Sequence, residues 1–120
     1  MQGLKPEDLR HLEHLRGEEV IQIAVGEFQI HFATGPKSNG GISVEGRCDL
    51  LDATGHVVDV WDRGKHTQQF RFFDLLGKTI REVEIDSEKS FVLTFADGRK
   101  LRVVDNSDQY ESFSVGGVSV

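Results

Sequence analysis

At 120 residues, with 38% hydrophobic and 28% charged content, the chain has the size and composition of one soluble globular domain that buries a core without metals or disulfides. Its net charge of −6 argues against general binding to nucleic acid or anionic membranes, because both need Lys and Arg to neutralise phosphate. The single cysteine, Cys48, excludes an intrachain disulfide and every cysteine-rich zinc framework.

The opening MQGLKPEDLRHLEHL has no apolar core of the signal-peptide kind, and no apolar run approaches the roughly 18 residues of a membrane helix. The expected location is the cytoplasm. Residues 6–16 read as a short helix, with Pro6, Glu7 and Asp8 in its first turn and Leu9, Leu12 and Leu15 on one stripe. Gly17 is the expected stop.

Ile21, Ile23 and Val25 then alternate with Gln22 and Ala24, and Phe28, Ile30 and Phe32 alternate with Gln29 and His31. Gly26 and Glu27 between them predict a two-residue hairpin loop, which pairs Val25 with Phe28, Ile23 with Ile30 and Ile21 with Phe32. All six apolar residues then share one face. Residues 34–41 (TGPKSNGG) form a loop by composition, and Ile42 and Val44 begin a third strand that continues toward Cys48 and Leu50. Residues 56–61 read as one more strand-like stretch.

The order then recurs. Residues 69–76 (QFRFFDLL) read as a helical turn ending at Gly77, residues 80–85 as a strand, residues 86–90 as a polar loop, and Phe91, Leu93 and Phe95 as the next strand. A two-residue turn at Asp97 and Gly98 would throw Leu101 onto the wrong face. A three-residue loop, Ala96 to Gly98, instead pairs Leu93 with Leu101 and Phe91 with Val103, and requires Gly98 to be left-handed at a bulge. Residues 105–108 read as a turn, 110–115 as a strand, and Gly116 with Gly117 as a last turn before Val118 and Val120.

The apolar spacing of Gly17, Val20, Ile23 and Val25 matches that of Gly77, Ile80, Val83 and Ile85. The expected fold is therefore mainly β, of the α+β kind. Two helix-plus-three-stranded-meander units, related by a pseudo-twofold axis, pack as a sandwich or a partly open barrel. The boundaries follow: a single domain over residues 1–120, with repeat units 6–47 and 68–104, a linker at 48–67 and a C-terminal strand segment at 105–120.

Two unrepeated segments hold the candidate functional residues. Residues 59–66 contain the single Trp with two carboxylates, two cations and a His. Asp59, Trp61, Asp62 and His66 are the candidate ligand-binding set, with Trp61 as the wall of a crevice between the units. The same segment also reads as a strand end followed by a charged turn. In the C-terminal stretch Asp105, Asp108, Tyr110 and Glu111 combine carboxylates with an aromatic anchor suited to a basic partner; the competing reading is a polar turn feeding a final core strand. His11 and His14 lie three apart with no third ligand by spacing, and His31 alternates outward from an apolar strand, so no metal site is expected. No nucleophile elbow, phosphate loop or dinucleotide fingerprint is present, so neither catalytic residues nor cofactors are expected.

LLG at 75–77, FVLTFADGRKLRV at 91–103 and QYESFSV at 109–115 resemble the second half of a small bacterial all-β family of uncharacterised function. The resemblance covers most of residues 15–116, although F-x-D-G-x-x-L is also a general hairpin signal. It implies a bacterial origin, a β-rich fold and a role like that of toxin-immunity proteins, and it supplies no catalytic residue. Three functions compete: a non-enzymatic binding module such as an immunity-type inhibitor of a basic toxin, a small-ligand protein or weak enzyme with a crevice near Trp61, and a self-associating domain that pairs edge strands into a homodimer.

Overall fold

In the computed structural model, the described residues are 12–35, 41–62, 70–87, 89–104, 113–115 and 118–119, the last two segments as backbone. Ten strands form two antiparallel five-stranded sheets. In chain order they are β1 (Glu19–Val25), β2 (Ile30–Gly35), β3 (Ile42–Val44), β4 (Arg47–Leu51), β5 (Val57–Asp62), β6 (Ile80–Ser87), β7 (Ser90–Phe95), β8 (Lys100–Val104), β9 (Phe113–Val115) and β10 (Val118–Ser119). The first sheet has the order β1-β2-β3-β9-β10 and the second β5-β4-β8-β7-β6. Among the described residues helix is scarce: Leu12 and Glu13 are helical, Phe72–Leu75 forms a 3-10 helix, and residues 6–11 of the expected first helix lie outside them.

The expectation of a mainly β chain therefore holds, but two self-contained helix-plus-meander units with a pseudo-twofold axis are not supported, and no closed barrel forms. The supposed linker supplies β4 and β5, and β4 lies between β5 and β8 inside the second sheet. The strand begun by Ile42 and Val44 does not run on to Cys48 and Leu50. It ends at a bend at residues 45–46, and the chain crosses there into the other sheet. The first sheet thus takes strands from both ends of the described sequence, and the second takes β4 to β8 from the stretch between them.

One apolar core joins the sheets. The first contributes Val20, Ile23, Ile30, Phe32, Ile42 and Val44, and the second contributes Cys48, Leu50, Trp61, Phe91, Leu93 and Val103 among others. Leu12 and Leu15 close it near one end and Phe72 and Leu75 near the 3-10 helix, with the Phe32 and Phe72 rings 6.1 Å apart. The leucine stripe of the first helix is thus core-facing over the part described.

The sheets are also stitched through backbone. Gly17 N–H donates to Ile80 C=O at 2.7 Å and Ile80 N–H to Glu18 C=O at 2.8 Å. Reciprocally, Gly77 N–H donates to Val20 C=O at 2.8 Å and Val20 N–H to Lys78 C=O at 3.0 Å. An antiparallel bridge between Glu19 and Thr79 sits between these bonds.

The two hairpin expectations fared differently. At β7 and β8 the pairs are Leu93 with Leu101 and Phe91 with Val103; Gly98 N–H donates to Phe95 C=O and has φ of 94°, as the three-residue loop required. At β1 and β2 the register is displaced by two residues, with Val25 opposite Ile30 and Ile23 opposite Phe32. Gly26 N–H reaches Gln29 C=O at 2.7 Å, so the loop spans residues 26–29 and Phe28 stands 52% exposed within it. A slip of two leaves every side chain on its own face, so alternation cannot detect it. A bulge between Val20 and Gln22 adds the other correction: Val20 and Ile23 face inward and Ile21 is turned out, 58% exposed. The expected five-residue loop at 86–90 is also shorter, since β6 runs to Ser87 and Ser87 pairs with Ser90.

Two glycines are required by space as well as by φ. A Cβ on Gly41 would lie 2.0 Å from Phe32 C=O, and one on Gly98 would lie 2.9 Å from Ala53 Cβ. Both have positive φ, 73° and 94°. Gly41 meets backbone that cannot swing away, whereas Gly98 meets one methyl. Urea denaturation should rank Gly41→Ala as the more damaging change, and Gly98→Val should still cost about 2 kcal/mol or more because a β-branched residue resists positive φ. Equal midpoints for Gly41→Ala and wild type would contradict the packing described.

Candidate functional site

Alternation along β5 separates the ligand-binding candidates. Asp59 and Trp61 point into the core, 7% and 1% exposed, while Asp62 lies on the opposite face of the strand. His66 lies outside the described residues, as do Asp105, Asp108, Tyr110 and Glu111. Trp61 sits opposite Cys48 on β4, and its Nε1–H has no hydrogen-bond partner among the described residues. Asp59 is engaged: Oδ1 accepts from Val60 N–H at 2.9 Å and Oδ2 from Arg71 N–H at 2.7 Å. Its carboxylate thereby ties β5 to the residues entering the 3-10 helix. Burial pushes the Cys48 thiol well up, and the nearby Asp49 and Asp59 carboxylates push it further, so Cys48 is a core thiol rather than a nucleophile.

The other singled-out groups also have local partners. His31 Nδ1 shares a 2.6 Å hydrogen bond with Ser43 Oγ across β2 and β3, and burial lowers the imidazole pKa. Asp52 Oδ1 accepts from Thr54 N–H, Thr54 Oγ–H and His56 N–H, closing the turn between β4 and β5; these bonds hold its carboxyl below the ordinary value. Among the described residues, no group of three or more His, Cys, Asp or Glu is placed to hold a metal.

Two surface features remain. The first is the outward edge of β1, the last strand of its sheet. Beyond the bridge at Glu19, pairing on that side stops among the described residues, and Ile21 and Val25 stand 58% and 44% exposed. The 3-10 helix adds exposed Phe73 and Leu76, and the bond from Gly77 N–H to Val20 C=O brings Leu76 alongside β1.

The second is a shallow cleft of about 470 Å³ on the outer face of the second sheet, over β4, β8 and the hairpin of β6 and β7. Register builds it. Asp49 lies opposite Arg102, and Val104 lies between Arg47 and Ser90. Arg47 Nε donates to Asp49 Oδ1 at 2.9 Å, and Arg102 Nε stands 3.4 Å from Asp86 Oδ2. Ser90 Oγ–H donates to Asp86 Oδ1 and lies 2.9 Å from Ser87 Oγ.

A family model described as a family of unknown function, DUF6188, matches residues 11–119, which includes strands of both sheets. The chain belongs to this family. No curated protein and no solved structure matches it. The match runs through β4 and β5, so the DUF6188 unit is the whole two-sheet body rather than one of the two supposed repeats. No helix among the described residues of this DUF6188 chain is long and apolar enough to cross a membrane.

Arg47, Asp49 and Arg102 are not among the residues expected from the sequence to form a site. Their signal was the alternation itself: Arg47 and Asp49 flank buried Cys48, and Arg102 stands between buried Leu101 and Val103. Which strands lie side by side was not encoded in that alternation.

Two outcomes follow for this DUF6188 chain. Asp59→Ala leaves two backbone N–H groups without their acceptor and should lower stability by about 2 kcal/mol in urea melts; an unchanged midpoint would show the clamp contributes nothing. His31 has its folded pKa depressed, so as pH falls below the usual imidazole value of about 6.5 the unfolded chain takes up a proton before the folded chain does. Stability is therefore lost as pH falls through the folded pKa. The urea midpoint should drop between about pH 7 and pH 5, and His31→Gln should flatten that drop.

Proposed function

We propose that this protein is a non-enzymatic binding module that takes an extended segment of a partner protein along the free edge of β1. One contrast carries the reading. No charged residue lies between Glu19 and Glu27, and the edge exposes Ile21 and Val25, whereas the two edges of the other sheet carry charges: Arg81, Glu82, Glu84 and Asp86 on β6, and Asp59 and Asp62 on β5. Charges on an edge strand repel a second chain, so an edge without them is open to strand addition.

The chemistry of the partner follows from what surrounds the edge. Glu19 and Glu27 flank it, both exposed, in a chain of net charge −6. An apolar strand flanked by Lys or Arg complements that arrangement. Neutralisation of a basic bacterial toxin is the specific form proposed; its support is that some small proteins similar in appearance to the bacterial family the 75–115 region resembles act as toxin-immunity proteins. Asp105, Asp108, Tyr110 and Glu111 are its proposed second contact. A crevice lined by Trp61 gains little support, because that indole is 1% exposed.

Affinity capture from the source lysate with wild type and Ile21→Lys tests the edge. Ile21 is exposed, so the variant should stay within about 0.5 kcal/mol of wild-type stability. Proteins held by wild type, released by added salt and lost from Ile21→Lys support the reading. An identical set from both, or none from either, overturns it. Glu111→Lys tests the C-terminal patch in the same way. Sedimentation at several concentrations identifies the competing occupant: self-association abolished by Ile21→Lys would make that occupant a second copy of this chain.

A further inference from the structure

We infer that the cleft on the outer face of the second sheet is a binding site for a small polar molecule carrying an oxyanion, either a carboxylate or a phosphate. The cleft lies on a different sheet from the β1 edge and does not depend on the edge's role. Its volume, about 470 Å³, suits a small molecule. Its lining is polar, with Val104 its one apolar side chain, so the ligand it fits is recognised by charge and hydrogen bonds.

Among the described residues that line it, cations outnumber carboxylates, the reverse of the chain as a whole. Arg47, Lys89 and Arg102 line it against two carboxylates, Asp49 and Asp86, in a protein of net charge −6. Asp49 is 4% exposed, so one of these carboxylates is part of the sheet's own structure. Its role toward Arg47 is orientation: the 2.9 Å bond from Arg47 Nε fixes the plane of the guanidinium. Asp86 is oriented in turn by Ser90, and it stands 3.4 Å from Arg102 Nε.

Arg102 supplies the observation that points to a ligand. Its side chain is 39% exposed, and its Nε, buried and without a hydrogen bond among the described residues, keeps only the 3.4 Å ion pair with Asp86. Buried donors are normally hydrogen-bonded, so an Nε–H held only by a long ion pair can gain a closer acceptor from outside. A guanidinium offers five N–H groups in a planar fork that matches two oxygens of a carboxylate or phosphate. Arg47 and Arg102 stand diagonally on neighbouring strands, because Arg47 faces Val104 and Asp49 faces Arg102. Diagonal neighbours on one face come within reach of long side chains, so both forks can engage one oxyanion. Asp49 and Asp86 set a limit: their charge favours a singly charged group, and their oxygens can accept from a hydroxyl or amine beside it.

The test is an NMR titration of the full chain, following the Arg Nε–Hε signals, with inorganic phosphate and sodium acetate as probes and sodium chloride at matched ionic strength as control. Saturable shifts of the Arg47 and Arg102 signals with phosphate, acetate or both, and not with chloride, are expected. Response to phosphate alone assigns a phosphate ligand, and response to acetate alone a carboxylate. Arg102→Lys keeps the charge but removes the fork, and should weaken the interaction about tenfold while the melting temperature stays near that of wild type. Shifts that chloride reproduces, that fail to saturate, or that are unaltered in Arg102→Lys would overturn the assignment. Should that variant not fold, the wild-type titration decides alone.

Discussion

Four backbone hydrogen bonds, exchanged between residues 17–20 and 77–80, hold the edge strand β1 of one sheet against the edge strand β6 of the other. Most other features follow from this stitch. It fixes β1 and β6 as the two outer strands that meet, so the apolar faces of both sheets turn toward one core. It occupies the backbone of Val20 and Ile80, and it places the 3-10 helix between the sheets with Phe72 and Leu75 buried. Because such bonds satisfy buried backbone groups that would otherwise cost free energy, the join tolerates little change. Past it, β1 runs out as an edge with few charges while β6 runs out as a charged one.

The crossing at residues 45–46 is the second constraint. It sends β4 into the sheet that holds β7 and β8, so a strand that follows the first meander in sequence completes the second sheet in space. Inward, this puts Cys48 and Leu50 in the common core and seats Trp61 opposite Cys48. Outward, it puts Arg47 and Asp49 beside Arg102. Core and cleft are thus two faces of one strand placement, and a residue's role depends on which face the period of two assigns it. Asp59 shows the same logic: it shares a face with Trp61, and its carboxylate accepts from Arg71 N–H.

Local chemistry was legible wherever a single turn or a single face decided the outcome. The loop at Ala96 to Gly98 could be read in the sequence because only one loop length kept Leu101 on the inner face. The hairpin after Val25 could not, because a shift of two residues preserves every face and only the bond from Gly26 N–H to Gln29 C=O distinguishes the alternatives. Ile21 was assigned inward for a similar reason: a bulge adds one residue and reverses the alternation with no sequence signature of its own. Of the ligand-binding candidates, the sequence grouped Asp59, Trp61 and Asp62 by proximity along the chain, yet neighbouring positions on a strand face opposite ways.

By itself, the sequence determined the mainly β character, the positions of most strands though not the separate β4, most of the core and the need for Gly98, because each rests on short-range periodicity or one turn's geometry. Only the tertiary structure decided which strands are neighbours, where the chain changes sheets, which edge is left unpaired among the described residues and which charges meet on the outer face. Those outcomes depend on contacts between residues far apart in the chain. Many pairings of similar apolar strands satisfy the same alternation, and the packed core together with the backbone stitch selects one of them.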